Sequence, residues 1–315
     1  MKKIENCNLC GSRKLANFII GQDRMYNLPG IFQGVKCSEC GLVFVNPQPG
    51  KEELSKHYPE KYYSFSGEIK RNKFAEFLYF TFFADEGNKF LKVLFYPLFP
   101  FFRTAIIEKG AKLLDIGCGN GVFLSRMKTL GLNVYGVDPF IQKDIPSLNI
   151  KKGELNTVGF TQESFDIITL NNVLEHVSDP DDTIKSAAKL LKTGGRIIIG
   201  VPNKNGVLAR LFGTYWAELD FPRHLFHFNK HTLSALCEKH NLVIKKVRYI
   251  SVPFEILGSV VYLLNAFRKK PKNLQNSFIA NSKLCSLLCL PLCHVLSWSK
   301  LGGRIELVAE KSLLD

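Results

Sequence analysis

The chain has 315 residues, 46% of them hydrophobic, and its 42 Lys and Arg outnumber 28 Asp and Glu, giving a formal net charge of +14. This length and apolar content can bury a sizeable core, which excludes an intrinsically disordered chain. The positive charge indicates an anionic partner: nucleic acid, a membrane surface or a phosphorylated substrate. No apolar stretch follows Lys2 and Lys3, so we expect no secretory signal and a cytoplasmic chain.

Changes in residue pattern divide the chain into five parts. We expect a zinc-binding module at 1–50, an aromatic-rich helical linker or cap at 51–108, a catalytic domain at 109–250, an apolar helical insert at 251–303, and a final strand with the C-terminal residues at 304–315.

The first part contains two C-x-x-C pairs, in "CNLCGS" and "CSECGL". Each pair can curl around one side of a tetrahedral ion, and four thiolates make a closed structural zinc site. Redox-active or incidental pairs are the alternative, but neither pair stands in a strand-helix setting of the thioredoxin type. The predicted zinc ligands are Cys7, Cys10, Cys37 and Cys40.

Two apolar segments lie outside the alternating part, in "FAEFLYFTFFADEGNKFLKVLFYPLFPFF" and between 251 and 303. Neither contains eighteen uninterrupted apolar residues, so no spanning helix is indicated. Their flanks are basic, with Lys70, Arg71 and Lys73 before one, and Arg268, Lys269, Lys270 and Lys272 inside the other. Apolar helices with basic margins fit peripheral attachment to an anionic membrane face. The alternative is a helical cap buried on the domain or in an oligomer interface.

Between 109 and 250, strand and helix patterns alternate. "AKLLDIG", "NVYGVD", "FDIITLN" and "GRIIIGVP" are apolar runs typical of buried parallel strands, and "GVFLSRMKTLG" has helical spacing up to Gly131. "VSDPDDTIKSAAKLLKTGG" predicts a helix capped by Ser178 or Asp179 and closed by Gly194. The alternation predicts an α/β fold with a doubly wound sheet and ligands at the carboxyl ends of its strands.

The first of these strands ends in a glycine-rich loop, "LLDIGCGNG". Its glycines are spaced G-x-G-x-G and not the G-x-G-x-x-G of nicotinamide dinucleotide sites, and Asp115 precedes them. Together with Asp138 at the end of the next strand, the segment resembles the class I S-adenosylmethionine-dependent methyltransferases. The resemblance spans about 111–249, with "VYGVDP", "SFDIITLNNVLEHVSDP" and "LLKTGGRIIIGVPN" in the expected order.

This resemblance implies a Rossmann-like, seven-stranded sheet that binds S-adenosylmethionine. Asp138 would accept hydrogen bonds from the ribose, Asp115 would orient the loop, and Glu154 with Leu155 stands where the family contacts adenine. The implied cofactor-binding residues are Asp115, Gly117, Gly119, Gly121, Asp138, Glu154, Leu155 and Asn171. "LVIKKVRYI" and "RIELVAE" resemble the antiparallel sixth and seventh strands, and "CGLVFVNPQP" resembles the zinc-binding module of small-molecule and sugar methyltransferases.

Methyl transfer requires positioning of the acceptor and, for a hydroxyl or acidic carbon, removal of its proton. Glu175 and His176 directly follow the fourth strand and are candidates for this step.

A second candidate segment, "YWAELDFPRHLFHF", resembles the D-x-P-R-H segment of methyltransferases in polysaccharide and lipid pathways. His224 is the preferred base, Arg223 suits a substrate phosphate or carboxylate, and Tyr215 completes the catalytic candidates. In the alternative, Arg223 pairs with Asp220 and His224 caps a backbone group.

The leading interpretation is a methyltransferase for a small-molecule, sugar or lipid-linked saccharide acceptor at the cytoplasmic membrane face. One alternative is an RNA methyltransferase that uses the zinc knuckles to bind RNA. However, the basic residues cluster beside apolar helices and not with aromatics in a groove, so no nucleic-acid partner is expected. A second alternative, a non-catalytic cofactor-binding scaffold, would predict a missing loop glycine or acid.

Overall fold

The computed structural model describes residues 1–58, 72–84, 86–268, 273–274 and 277–312. Of the basic residues predicted to flank the apolar segments, Lys70, Arg71, Lys269, Lys270 and Lys272 lie outside the described residues.

The N-terminal part contains an antiparallel sheet and short helices. The elements are β1 (Leu15–Gly21), β2 (Phe32–Cys37), β3 (Val43–Val45) and α1 (Lys51–Ser55), followed by α2 (Lys73–Phe83) and α3 (Lys89–Leu94). A 3-10 turn at Tyr96–Phe101 leads into the main sheet. The side chains of Asn72 and Asn88 cap α2 and α3, which explains why these helices begin where they do.

The main α/β unit begins at residue 112. Its elements are β4 (Lys112–Ile116), α4 (Val122–Thr129), β5 (Asn133–Asp138), β6 (Ile150–Lys152), β7 (Phe165–Asn171), α5 (Pro180–Leu190), β8 (Leu191–Pro202), α6 (Val207–Phe212), β9 (Phe226–His227), α7 (Lys230–Glu238), β10 (Leu242–Ile250), α8 (Pro253–Ala266), α9 (Phe278–Asn281), α10 (Lys283–Trp298) and β11 (Arg304–Lys311).

The strand order of the main sheet is β10-β11-β8-β7-β4-β5-β6. Strands β4 to β8 in this sheet pair in parallel, whereas β11 is antiparallel to both β8 and β10. The seven strands confirm the predicted α/β fold class and its antiparallel final pair. Parallel pairing brings the carboxyl ends of β4, β5, β7 and β8 to one edge, where the glycine loop begins.

One predicted helix boundary is wrong. Asp179 caps α5 by accepting from the backbone N–H groups of Asp181 and Asp182, as expected. The helix ends at Leu190, however, and Leu191 already belongs to β8, so Gly194 lies within that strand with φ +74°. Leu191 continues the apolar face formed by Ile184, Ala187 and Ala188 of α5, which is why the sequence overestimates the helix.

A second sheet joins the N-terminal part to the main unit. Its order is β1-β2-β3-β9, and β9 comes from the segment after β8 that carries the predicted catalytic histidine. Cys7, Cys37 and Phe44 also pack in the same buried cluster as Leu114 and Ile168 of the main sheet. The predicted zinc module is therefore packed against the segment that carries the predicted catalytic residue His224.

The apolar insert forms α8, α9 and α10. Helix α8 buries Leu257, Val261 and Tyr262, and α10 packs against α8 and β10. Among the described residues, none of the helices combines the length and the apolar character that a membrane-spanning helix needs.

Candidate active site

The glycine loop connects β4 to α4 and leaves no room for a side chain at Gly117 or Gly121. Gly117, Gly119 and Gly121 all have positive φ, at 69°, 54° and 81°. A Cβ on Gly117 would lie 2.3 Å from Val173 Cγ2, and one on Gly121 would lie 2.5 Å from Ile150 Cδ1. The loop can thus present backbone groups at close range to a ligand.

Asp138 is fixed at the end of β5 beside this loop. Its Oδ2 accepts from the Gly119 N–H at 2.9 Å, and its Oδ1 accepts from the Phe140 N–H at 2.8 Å. Burial raises the pKa of this carboxyl, and the two backbone donors oppose the rise. Each oxygen keeps a second lone pair, so the carboxylate can still accept from two ligand hydroxyls.

Asp115 is buried beneath the loop. Thr169 Oγ1 donates to its Oδ1 at 2.5 Å, and Arg103 Nη2 pairs with its Oδ2 at 2.9 Å. The Arg103 guanidinium lies 3.1 Å from the ring centroid of Phe123. Arg103 was not predicted, because it lies in the aromatic segment outside every recognised motif.

The other predicted cofactor residues have different surroundings. The Glu154 side chain is 60% exposed and forms an ion pair with Lys51 at 2.7 Å. Leu155 packs against the main core, and Asn171 ends β7 at the wall of a cavity beside the loop.

Three of the predicted catalytic groups lie together. Glu175, His176 and His224 each place one donor or acceptor atom within 4.8 Å of the other two. The rings of His176 and His224 meet edge to face with centroids 4.6 Å apart. Such a group can transfer protons, and two imidazoles with a carboxylate could also surround a divalent cation.

Hydrogen bonds fix the tautomers of both histidines. His176 Nδ1 lies 3.0 Å from the carbonyl oxygen of Arg223, and His224 Nδ1 lies 2.8 Å from that of Glu218. Because a carbonyl only accepts, each Nδ1 must carry the hydrogen. In the neutral rings each Nε2 therefore offers a lone pair.

Burial dominates the electrostatics of this group. It raises the pKa of Glu175 to about 7, although the neighbouring His224 and Arg304 oppose the rise. Neither carboxylate oxygen of Glu175 has a hydrogen-bond donor among the residues that the structure describes. Burial and the neighbouring His224 lower the pKa of His176 to about 3, so this imidazole is neutral near pH 7.

Arg223 is fully buried and bonded entirely within the protein. Nε and Nη2 donate to Asp220 at 2.9 and 2.6 Å, Nη1 and Nη2 donate to Asp23 at 2.7 and 3.1 Å, and Nη1 also donates to the His57 carbonyl at 2.9 Å. These five bonds match the five N–H donors of a guanidinium. The geometry agrees with the alternative in which Arg223 pairs with Asp220 and His224 bonds a backbone group.

Comparison with known proteins identifies the family. A family described as a methyltransferase domain matches residues 89–247, about half of the chain. The chain belongs to this methyltransferase-domain family. The membership confirms the resemblance inferred from the glycine loop and the strands around it.

Curated relatives include ubiquinone biosynthesis O-methyltransferases. That of Proteus mirabilis is 33% identical over 107 residues, covering 30% of this chain and 44% of the relative. That of Saccharophagus degradans is 32% identical over 141 residues, covering 41% of this chain and 59% of the relative. The chain spans 44% to 62% of the length of the curated relatives that it matches.

Solved structures of methyltransferases are also similar. A SAM-dependent methyltransferase from Archaeoglobus fulgidus has a TM-score of 0.43 and 18% identity, covering 75% of this chain and 99% of the other. A SAM-dependent methyltransferase from Thermotoga maritima, described as a possible histamine N-methyltransferase, has a TM-score of 0.42 and 16% identity, covering 65% and 84%.

The methyltransferase domain also receives residues from outside the matched range. Tyr58, which follows α1, places its hydroxyl 3.2 Å from His176 Nδ1 and stacks on Phe140 at 6.0 Å. It thus bridges the Asp138 side of the cleft and the histidines. Tyr215 lies elsewhere: the Arg24 guanidinium is 4.3 Å from its ring, and it packs with the cluster around Tyr262.

The four N-terminal cysteines of this methyltransferase chain form one cluster. Cys7 Sγ is 3.5 Å from Cys40 Sγ, Cys10 Sγ is 3.6 Å from Cys37 Sγ, and all four sulfurs lie within 4.8 Å of one another. Gly11 and Gly41 follow the pairs with φ +73° and +79°, as tight knuckles require. The donor set and its compactness fit a tetrahedral zinc ion.

Proposed function

We propose that this protein is an S-adenosylmethionine-dependent methyltransferase that acts on a small molecule, a sugar or a lipid-linked saccharide. The observation that carries the proposal is the glycine loop with Asp138, because the bare backbone and the carboxylate together suit an adenosine-bearing ligand. Gly117, Gly119 and Gly121 would admit the cofactor, and Asp138 would accept from both ribose hydroxyls. The bound cofactor supplies an electrophilic methyl group.

His224 is the proposed general base. Its Nδ1–H is held by the Glu218 carbonyl, so Nε2 is free to take a proton from an acceptor hydroxyl. Asp220 Oδ2 lies 3.9 Å from Nε2 and would stabilise the imidazolium that results. Glu175 and the neutral His176 line the same place and would orient the acceptor hydroxyl, while Arg223 holds Asp220 in position.

A hydroxyl acceptor is supported by the relatives, which are named O-methyltransferases of ubiquinone biosynthesis. This similarity favours a small-molecule acceptor over the alternative of RNA.

The cofactor assignment is tested by calorimetry with S-adenosylhomocysteine and with NAD. We expect binding of the first and none of the second. Asp138→Ala should weaken binding by about 1 to 3 kcal/mol, the usual loss on removing a charged hydrogen-bond partner. The exposed Glu238→Ala is the control and should bind as the unchanged protein does. Equal affinity of the Asp138→Ala protein would reject the role given to this acid.

We further propose that Cys7, Cys10, Cys37 and Cys40 hold a structural zinc ion. Four thiolates close the coordination shell, so the ion would stabilise the fold and take no part in methyl transfer.

Peripheral attachment to an anionic membrane face is the third part of the proposal. One face of α10 is apolar and exposed, and its residues recur at helical spacing: Leu284, Leu287, Leu288, Leu292, Val295 and Trp298. The opposite face buries Leu290, Cys293 and Leu296. Basic residues lie near both ends of the helix, and the chain has a net charge of +14, so an anionic lipid surface is the partner that charge favours.

Sedimentation with vesicles of phosphatidylcholine and phosphatidylserine tests this attachment. We expect binding at low salt that weakens as salt rises, because each basic residue near the lipid adds about 1 kcal/mol. Leu288→Ser with Leu292→Ser should reduce binding, whereas Leu211→Ser, on α6 and about as exposed as Leu288, should not. Replacing Arg268, Lys269, Lys270 and Lys272 by Gln should also reduce it. A protein that stays in the supernatant at every salt concentration and runs as a compact dimer would show that the apolar face is a subunit interface.

A further inference from the structure

A cavity of about 430 Å³ opens at the carboxyl edge of the sheet, between the glycine loop, α4 and the start of β11. Cys118 of the loop and Asn171 of β7 form one side, and Phe102 and Phe123 contribute aromatic rings to the wall. The cavity therefore shares Asn171 and part of the glycine loop with the proposed cofactor site and extends beyond it, since Asp138 and the histidine pair do not line it.

Four charged side chains line this cavity, and two of them are neutralised inside the protein. Arg103 is paired with Asp115 at 2.9 Å. Glu306 is paired with Arg248 at 3.2 Å and also accepts from Thr104.

The other two, Arg126 and Arg304, form no ion pair with any residue that the structure describes. Arg126 extends from α4 beside Tyr79, and its Nε is buried with no acceptor in the described part of the chain. Within the described ranges, the Arg304 guanidinium donates to one side chain, the neutral Asn172 amide oxygen. The cavity wall thus holds two uncompensated positive charges.

Uncompensated guanidinium groups in a partly buried wall favour an anionic ligand. The planar fork of arginine matches a carboxylate or a phosphate with two parallel hydrogen bonds. The aromatic rings of the same cavity, Phe102 and Phe123, suit a ring or an apolar carbon skeleton. The sequence had suggested Arg223 for such an anion, but all five of its donors are already used.

The cavity also lies near the proposed site of proton transfer. Arg304 is close enough to Glu175 to act on the ionisation of that carboxyl, and Asn171 lies four residues before Glu175 at the end of β7. A ligand anchored at Arg304 could therefore extend toward the catalytic histidines.

We propose that the methyl acceptor is an anionic molecule with a ring or apolar skeleton, whose carboxylate or phosphate binds Arg126 and Arg304. This proposal rests on the proposed methyltransferase function and specifies the class of its acceptor.

The test uses the full chain saturated with S-adenosylhomocysteine and two pairs of probes. One pair is 3,4-dihydroxybenzoate and catechol, and the other is phenyl phosphate and phenol. Binding is followed by calorimetry. In at least one pair the anionic member should bind tenfold or more tightly than its neutral partner, and the preferred pair tells a carboxylate from a phosphate acceptor.

Arg126→Gln and Arg304→Gln should each remove most of this preference, and Arg304→Lys should restore part of it. Arg210→Gln, an exposed arginine on α6, is the matched control. The affinity for S-adenosylhomocysteine should change less than twofold in all of these variants.

Three results would overturn the proposal. Equal binding within both pairs, or no binding of any probe at millimolar concentration, would show that the cavity does not select anions. Loss of S-adenosylhomocysteine affinity in Arg126→Gln and Arg304→Gln would assign these charges to the cofactor's own carboxylate. Failure of the unchanged protein to bind S-adenosylhomocysteine would instead reject the proposed function itself.

Discussion

Glu175 shows how burial alone changes the behaviour of one residue. Burial raises its pKa from 4.5 to about 7, with His224 and Arg304 in opposition. Because the folded state holds this proton more firmly than the unfolded state, folding is not penalised below pH 4.5, where both states are protonated. The penalty grows as pH rises toward 7.

We therefore predict a pH-dependent effect of Glu175→Gln. Relative to the unchanged protein, the variant should gain up to about 3 kcal/mol of unfolding free energy between pH 4.5 and pH 7.5, from about 1.4 kcal/mol per pKa unit. Urea unfolding of both proteins at both pH values, in buffer free of divalent cations, measures this difference. Any change in packing caused by the substitution contributes equally at both pH values and therefore cancels. An identical offset at both pH values would contradict the prediction.

At the scale of single residues, the sequence predicts candidate site residues only where they belong to a contiguous motif. Asp115, Asp138 and the three glycines are recognisable because the family pattern that they match is defined by spacing along the chain. Asp23 and Arg103 are not, since Asp23 reaches its partner Arg223 across 200 positions and Arg103 stands in a segment with no motif. Nothing in the local sequence marks such contacts.

At the scale of elements, β9 links the cysteine cluster to the segment that carries His224. It pairs with β3, with Val43 opposite His227 and Phe44 opposite Phe226. Strand β3 begins three residues after Cys40, so the conformation of the second knuckle sets the position of this pairing. A structural metal would therefore also order the segment that carries His224.

This link predicts that loss of zinc destabilises β9. The purified protein should contain about one zinc ion per chain, since four thiolates satisfy one tetrahedral ion. Cys37→Ser should lose the metal and speed hydrogen exchange of the backbone amides of residues 225–228, while Cys285→Ser, outside the cluster, should do neither. Absence of zinc in protein prepared without chelator would contradict the zinc site. Unchanged hydrogen exchange at residues 225–228 in Cys37→Ser would contradict the link to β9.

The same scale shows which elements a sequence can predict. Strands β4, β5, β7 and β8 follow from apolar runs, because strands buried on both faces need nonpolar residues throughout. Strand β6 is only three residues long and has one apolar residue, Ile150, and β9 has two residues, so neither shows a periodicity. Their formation depends on neighbours that are already in place.

At the scale of the whole molecule, a buried ion cluster binds the N-terminal part to the methyltransferase domain. Asp23 and His57 from the first 58 residues meet Arg223, with Asp220 on its other side. All of these side chains are nearly inaccessible to solvent. Removing one partner would leave a buried charge uncompensated, which is costlier than losing an ion pair on the surface.

Asp23→Ala should therefore destabilise the entire chain by about 3 to 5 kcal/mol, as expected for breaking a buried pair. Glu39→Ala is the matched control, because it removes the exposed pair of Glu39 with Lys14 and should cost less than about 1 kcal/mol. Denaturant unfolding followed by far-ultraviolet circular dichroism measures the free energy of unfolding of both variants. Equal losses of unfolding free energy in the two variants would show that the buried ion cluster does not stabilise the packing of the N-terminal part on the methyltransferase domain.

The position of β11 has a consequence for synthesis of the chain. This strand lies between β8 and β10 in the sheet, yet 53 residues, from 251 to 303, separate it from β10 in the sequence. At about 5 to 20 residues per second, a ribosome takes roughly 3 to 10 seconds to translate that interval. Until β11 emerges, β8 is an unprotected edge that can pair with another nascent chain. The rate of translation through the apolar insert therefore sets how long each growing molecule is at risk of aggregation.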